Sequence, residues 1–136
     1  MLLLKKRIFL VEDKVENRSI MQTLLEQHGA KIAFERWGKD TVERLRVFAP
    51  IDLILLDLML PNKVTGYDIF DRIRAAAEFE HVPIVAVSAA DPEVSIPKVK
   101  EKGFAGFIAK PIEFDLFPFQ ISQILNNQPV WYTASD

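Results

Sequence analysis

Four short apolar runs, each ending at a polar or charged residue, constrain the fold of this chain more than any other feature. They occupy residues 8–11, 53–56, 84–87 and 107–109. Unbroken apolar runs of this length are typical of strands that are buried on both faces. A weaker run at 31–35 alternates apolar and polar residues, which predicts a strand at the edge of a sheet.

Amphipathic segments separate these runs and predict helices. Gly29 follows the first segment as a stop signal, Pro97 suits the first turn of the fourth, and Pro118 must lie in the first turn of the fifth or kink it. A strand-helix unit repeated five times predicts an α/β fold, a doubly wound parallel sheet with right-handed crossovers covering both faces. The predicted helices span residues 15–28, 40–48, 66–77, 97–102 and 113–125.

The size and composition fit one globular domain. The chain has 136 residues, of which 49% are hydrophobic and 26% charged. We expect a domain over residues 1–125 and a C-terminal tail over 126–136 that lies outside the regular fold. No apolar run approaches the ~18 residues of a membrane span. The N-terminus is apolar and then basic, whereas a signal peptide is basic first and then apolar. We therefore expect a cytoplasmic protein.

Charge and cysteine content exclude several function classes. The net charge is −2. The chain therefore lacks the excess of basic residues that would indicate a nucleic-acid or membrane partner. The chain has no cysteine, which excludes disulfides, thiolate metal sites and cysteine nucleophiles.

Chemically useful side chains stand where the four apolar runs end: Glu12 with Asp13, then Asp57, Ser88 and Lys110. In an open parallel sheet, ligands bind outside the carboxyl ends of the strands, so these residues are predicted to share one crevice. Each alone has an ordinary explanation, such as a helix cap, a turn serine or a solvated surface lysine. Four such residues at equivalent positions together favour a functional site.

Phosphoryl transfer is the chemistry that these residue types suggest. Three carboxylates in one crevice repel each other and favour a hard cation such as Mg²⁺, which uses few protein carboxylates. A lysine supplies a point charge for a phosphoryl oxygen, and a serine hydroxyl can donate to another. A carboxylate can act as the nucleophile and form an aspartyl phosphate.

The segments at 11–13, 55–61, 87–89 and 109–111 resemble the signature blocks of bacterial two-component response-regulator receiver domains. These segments read VED, LLDLMLP, VSA and AKP, and they occur in the family's order and spacing. The resemblance covers residues 7–125 and implies a flavodoxin-like (βα)5 fold with five strands in the order 2-1-3-4-5, as in chemotaxis receivers. It implies a single-domain response regulator in signal transduction, which catalyses its own phosphoryl transfer and hydrolysis rather than acting as an enzyme on a separate substrate.

The resemblance also assigns a role to each site residue. Asp57 matches the phosphoacceptor. Asp13 matches the direct Mg²⁺ ligand and Glu12 a ligand acting mostly through water, with Asp57 and the backbone carbonyl of Met59 completing the protein ligands.

Four further positions match the family's phosphoryl-binding and switch residues. The resemblance implies that the Ser88 hydroxyl moves to contact the phosphoryl group and that Lys110 pairs with that group. It also implies that the Lys110-Pro111 peptide bond is cis. Phe107 matches an aromatic switch position and is predicted to rotate from a more exposed to a more buried rotamer. Plain core packing is the alternative for Phe107.

The family further implies the partners. The phosphoryl donor is expected to be a sensor histidine kinase or a histidine phosphotransfer protein. The output surface comprises the fourth helix, fifth strand and fifth helix, and binds a downstream protein or a second copy in a phosphorylation-dependent homodimer. Five phenylalanines between 104 and 119 lie in this region, and any that are exposed would form an apolar partner surface. Asn17, four residues after Asp13, resembles phosphorelay receivers and can equally be a helix surface residue.

Two positions depart from the family pattern. Four residues, rather than the usual three, separate Pro61 from Gly66, so the loop beside Asp57 is predicted to bulge. Met59 and Ala90 occupy positions that influence hydrolysis in the family. Neither side chain can orient an attacking water, which predicts slow loss of the phosphoryl group.

Three other functions fit the sequence less well. A phosphohydrolase of the haloacid dehalogenase type requires a second aspartate two residues after the nucleophile, where this chain has Met59. A degenerate receiver acting without phosphate usually lacks an acidic residue or the lysine, and all are present here. A flavodoxin-like FMN carrier needs a glycine- or hydroxyl-rich loop after Val11, which is missing.

Overall fold

Strands and helices alternate through a computed structural model that describes residues 1–133. The strands are β1 (Arg7–Val11), β2 (Lys31–Glu35), β3 (Leu53–Leu56), β4 (Ile84–Ser88), β5 (Gly106–Ala109) and β6 (Val130–Tyr132). The helices are α1 (Val15–Gln27), α2 (Thr41–Phe48), α3 (Gly66–Ala75), α4 (Pro92–Lys102) and α5 (Phe117–Leu125), with a 3₁₀ turn at Ala77–Phe79. No helix in this described part of the chain is long and apolar enough to cross a membrane.

The six strands form one sheet in the order β2-β1-β3-β4-β5-β6, and all neighbouring strands are parallel. The predicted α/β architecture and the order of the first five strands are confirmed, with β2 at an edge. Alternate residues of β1 enter different hydrophobic clusters: Phe9 packs with α2, α3 and α4, while Leu10 packs with α1 and α5. The sheet is therefore buried on both faces, which explains its unbroken apolar strands.

The sixth strand was not predicted. The expectation that the tail lies outside the regular fold is wrong for Val130–Tyr132, which pair in parallel with β5; residues 134–136 lie outside the described part. Without β6, the backbone of β5 would form an open sheet edge. Trp131 packs against the same cluster as Phe107, and its two neighbours pack on the opposite cluster, so the short apolar run fits the pleat.

The fourth helix is longer than predicted. It begins at Pro92 rather than 97, because the Asp91 side chain caps it by accepting a hydrogen bond of 3.0 Å from the Glu93 N–H, and Pro92 suits the first turn. Pro97 therefore lies inside the helix, not in its first turn. The fifth helix begins later than predicted, at Phe117, with Pro118 in its first turn.

Candidate functional site

The carboxyl ends of the central strands bring the predicted side chains together. Glu12 and Asp13 follow β1, Asp57 follows β3, and Lys110 follows β5. Ser88 ends β4, and its carbonyl oxygen accepts a hydrogen bond of 2.9 Å from the Lys110 N–H. Residues separated by up to 98 positions thus meet at one edge of the sheet.

Three carboxylates form the acidic part of the site. Glu12, Asp13 and Asp57 each place an oxygen within 4.8 Å of the others. Glu12 is 1% exposed and Asp57 5% exposed, whereas Asp13 is half-buried. Buried carboxylates this close repel one another and require cationic partners.

Lys110 supplies one such partner to two carboxylates at once. Its Nζ donates to Asp57 Oδ2 at 2.9 Å and also to Glu12 Oε1. The second oxygen of each carboxylate accepts a backbone N–H: Met59 donates to Asp57 Oδ1 and Lys14 to Glu12 Oε2, both at 3.1 Å. These bonds fix the orientation of both acids. Within residues 1–133 the Asp13 carboxylate makes no hydrogen bond or ion pair, which leaves it available to a ligand.

Burial and charge shift the pKa values of the paired groups. Burial raises the pKa of Glu12 above its ordinary value, aided by the Asp57 charge, and the bond to Lys110 only partly offsets this effect. Burial alone would lower the pKa of Lys110. The charges and hydrogen bonds of Asp57 and Glu12 together outweigh it, so the pKa of Lys110 lies above its ordinary value. The lysine therefore remains a cation throughout the neutral pH range.

The remaining predicted residues surround this centre. Ser88 is fully buried, and its Oγ accepts a hydrogen bond of 3.2 Å from the Ala90 N–H. The Lys110-Pro111 peptide bond is cis. Phe107 is 0% exposed, in contrast to the more exposed ring expected before phosphorylation. Its neighbour in the sheet is Trp131 of the unpredicted β6, which covers this end of the core.

Two features of the site were missed by sequence reasoning. The Lys14 amide that binds Glu12 carries no sequence signal, because any residue except proline supplies an N–H. A small apolar groove of about 170 Å³ lies beside Lys110 and places Asn17 near the site. Its lining residues are Asn17, Ile20 and Met21 of α1 with Lys110, Pro111, Ile112 and Phe114.

The same sequence is matched by a known protein family. The family model of the response regulator receiver domain matches residues 8–120. The chain belongs to this family. The polar-differentiation response regulator DivK of Brucella ovis is 29% identical to this receiver over 122 residues, covering 90% of the chain and 98% of DivK.

Solved receivers also share the fold. The chemotaxis response regulator CheY4 of Vibrio cholerae superimposes with a TM-score of 0.78 at 19% identity, covering 88% of this chain and 98% of CheY4. The phosphorylated cyanobacterial phytochrome response regulator RcpA gives a TM-score of 0.70 at 28% identity, covering 88% of this chain and 89% of RcpA. The predicted resemblance to response-regulator receivers is confirmed, and with it a role in two-component signalling.

Proposed function

We propose that this receiver accepts a phosphoryl group onto Asp57 from a histidine kinase or a histidine phosphotransfer protein. The observation that carries the proposal is the environment of the Asp57 carboxylate. It is buried, oriented by Lys110 and the Met59 amide, and adjacent to two further carboxylates. An oriented carboxylate beside a fixed cation is suited to nucleophilic attack on phosphorus.

In the proposed reaction, an oxygen of Asp57 forms a bond to phosphorus while the bond from phosphorus to the donor's histidine nitrogen breaks. The donor imidazole leaves as a neutral group because its other ring nitrogen already carries a proton in the phosphohistidine. Lys110, already 2.9 Å from Asp57 Oδ2, is placed to pair with an oxygen of the transferred group. The contribution of the protein is positioning and neutralisation of charge. Under this proposal the chain is a phosphoacceptor and not an enzyme with a separate substrate.

The donor set fits Mg²⁺. All three clustered side chains offer carboxylate oxygens, the ligands that this ion prefers. Three carboxylates and one lysine leave two uncompensated negative charges, which match a divalent cation. Glu12, Asp13, Asp57 and the Met59 backbone carbonyl would hold the ion. When bound, Mg²⁺ neutralises charge on the phosphoryl oxygens.

The proposed output begins at Ser88 and Phe107. Ser88 is placed to donate to a phosphoryl oxygen. Phe107 is already fully buried in this structure, so the proposed rotation into the core requires a conformation in which the ring is more exposed than it is here. The output surface still includes α4, β5 and α5, but β6 now pairs with the free edge of β5. A downstream protein or a second copy would therefore meet α4, β6 and α5. Phe119 is 55% exposed on α5, but its ring lies 6.4 Å from the His28 ring at the end of α1, so it is not part of this surface. The cytoplasmic location remains part of this proposal.

Acetyl phosphate with Mg²⁺ tests the covalent step without a protein donor. Intact-mass measurement should show the gain of one phosphoryl group on the wild-type chain and none on Asp57→Asn, because the amide cannot act as the nucleophile. Asp115→Asn is the matched control, since Asp115 is exposed and outside the site. Undiminished labelling of Asp57→Asn would contradict the assignment, as would equal loss in both variants.

A further inference from the structure

A second surface feature shares a loop with the phosphoacceptor. A cleft of about 480 Å³ separates the loop that joins β2 to α2 from the loop that joins β3 to α3. The second loop begins at Asp57 and includes Met59, whose N–H donates to Asp57, so one loop contributes both to the proposed site and to a wall of the cleft. Its lining residues are Trp37, Lys39, Asn62, Val64 and Arg72.

Positive charge is concentrated around this cleft. Lys39 and Arg72 line it, and Arg36 and Lys63 adjoin it in sequence. None of these four makes an ion pair with another residue in the 1–133 part of the chain, although the whole chain has a net charge of −2. These four cations outnumber the two acids Asp40, beside Lys39, and Asp68, one turn before Arg72. With the negative charge of the neighbouring site neutralised by Mg²⁺ as proposed above, the cleft keeps a positive excess that attracts an acidic partner.

The wall formed by the first loop is held in place by its contacts with α3. Gly38 has a φ of +72°, a left-handed conformation that favours glycine, and a Cβ there would displace the Ile69 side chain, whose Cδ1 would lie 2.3 Å away. Arg72 Nη1 donates to the Gly38 carbonyl oxygen at 3.1 Å. A preformed wall lowers the entropy cost of binding.

An aromatic side chain provides an anchor within the charged surface. Trp37 is 47% exposed, and the Arg36 guanidinium lies 5.0 Å from its ring centroid. Tryptophan and arginine contribute disproportionately to binding energy at protein interfaces.

The opposite wall contains the extra residue that departs from the family pattern. Asn62 and Lys63 both have a φ of +62°, and the turn closes through a hydrogen bond of 3.2 Å from the Leu60 N–H to the Val64 carbonyl oxygen. The longer loop thus folds as a turn whose residues Asn62 and Val64 face the cleft.

We infer that this cleft binds an acidic segment of the protein that donates the phosphoryl group, an inference that rests on the proposed function. The charge of the cleft selects an acidic occupant, and the loop that it shares with Asp57 favours a partner that acts at Asp57. A protein segment fits better than a nucleotide, because the cations are distributed over two loops and α3 rather than gathered in a mostly apolar pocket of the kind that encloses small ligands.

The test uses a short synthetic peptide rich in glutamate and leucine as the probe. NMR of the full chain follows the indole N–H signal of Trp37, and Trp131 on β6 is the internal reference. The peptide should shift the Trp37 signal saturably, leave Trp131 unchanged and bind more weakly as salt is raised.

Lys39→Glu with Lys63→Glu should weaken binding by about tenfold, because two attractive charges become repulsive. The double variant Lys31→Glu with Lys98→Glu, which changes the net charge equally at exposed positions elsewhere, should bind as the wild type does.

Several outcomes would overturn the inference. An unmoved Trp37 signal, or equal weakening in both double variants, would show that the cleft has no specific role. A Trp37 response to ATP but not to the peptide would identify a nucleotide site instead. Acetyl phosphate labelling of the wild-type chain is measured in parallel. If labelling fails while the peptide binds, the acidic docking surface stands but its partner is not a phosphoryl donor.

Discussion

Lys110 is the side chain on which both buried carboxylates of the site depend. It binds Glu12 and Asp57 from a position where its own side chain is only 11% exposed. Lys110→Met would leave two buried carboxylates facing each other without a cation. Removing one partner of a buried ion pair typically costs about 3 kcal/mol or more, so we expect a loss of stability of that size in urea unfolding at neutral pH.

A double variant separates the lost charge from altered packing. Glu12→Gln with Lys110→Met removes one of the two unpaired charges, so it should recover part of the loss. Lys98→Met, at an exposed position on α4, should change stability by less than about 0.5 kcal/mol. If Lys110→Met unfolds at the wild-type urea concentration, the charges are already compensated by water or by other groups.

At this scale the sequence predicts which residues meet, but not their bonds. The position of Asp57 or Lys110 after an apolar run is enough to place it where the carboxyl ends of the strands meet. That Lys110 binds two carboxylates depends on how far β1, β3 and β5 each extend at their carboxyl ends, which the sequence does not show. Phe107 is likewise buried in a hydrophobic cluster against which Trp131 packs, and the strand that carries Trp131 was not predicted.

Among the elements, β6 depends on a close approach at Gly106. A Cβ at this position would lie 2.8 Å from the Val130 carbonyl oxygen and 3.2 Å from Ile124 Cδ1. Gly106→Ala should therefore push β6 away from β5. Hydrogen exchange at 130–132 should accelerate by about tenfold or more, because these amides lose their partners. Amides of β1 serve as the internal reference and should retain their protection. Unchanged exchange at 130–132 would mean that the sheet absorbs the extra methyl group elsewhere.

Element boundaries show where local sequence signals are sufficient. Asp91 and Pro92 are sufficient local signals for the start of α4, whereas Pro97, which lies inside the helix, favours a start five residues later. For β6 no local signal suffices, since three apolar residues in a polar tail predict a strand only when the open edge of β5 is known. The helices and strands of the repeating unit were predictable because each carries its own periodicity.

For the molecule as a whole, one hydrophobic cluster packs on each face of the sheet, and the acidic site lies at the carboxyl ends of its strands. The clusters stabilise the fold, whereas the buried carboxylates at the edge oppose it by mutual repulsion. A fold of this kind is expected to be stabilised by any cation that binds only the native site.

Mg²⁺ should therefore raise the thermal stability of the whole receiver. A ligand that binds only the native state at ten times its Kd contributes about 1.4 kcal/mol, which corresponds to a Tm increase of roughly 2–8 °C for a domain of this size. Chelation should reverse the increase, and NaCl at matched ionic strength should not reproduce it, because screening alone does not bridge three carboxylates.

Asp13→Ala should abolish the increase without unfolding the protein, since Asp13 makes no hydrogen bond or ion pair within residues 1–133. Asp115→Ala, which removes an exposed carboxylate elsewhere, should retain the full increase. An equal response of the wild type and Asp13→Ala would place the ion outside the cluster of Glu12, Asp13 and Asp57.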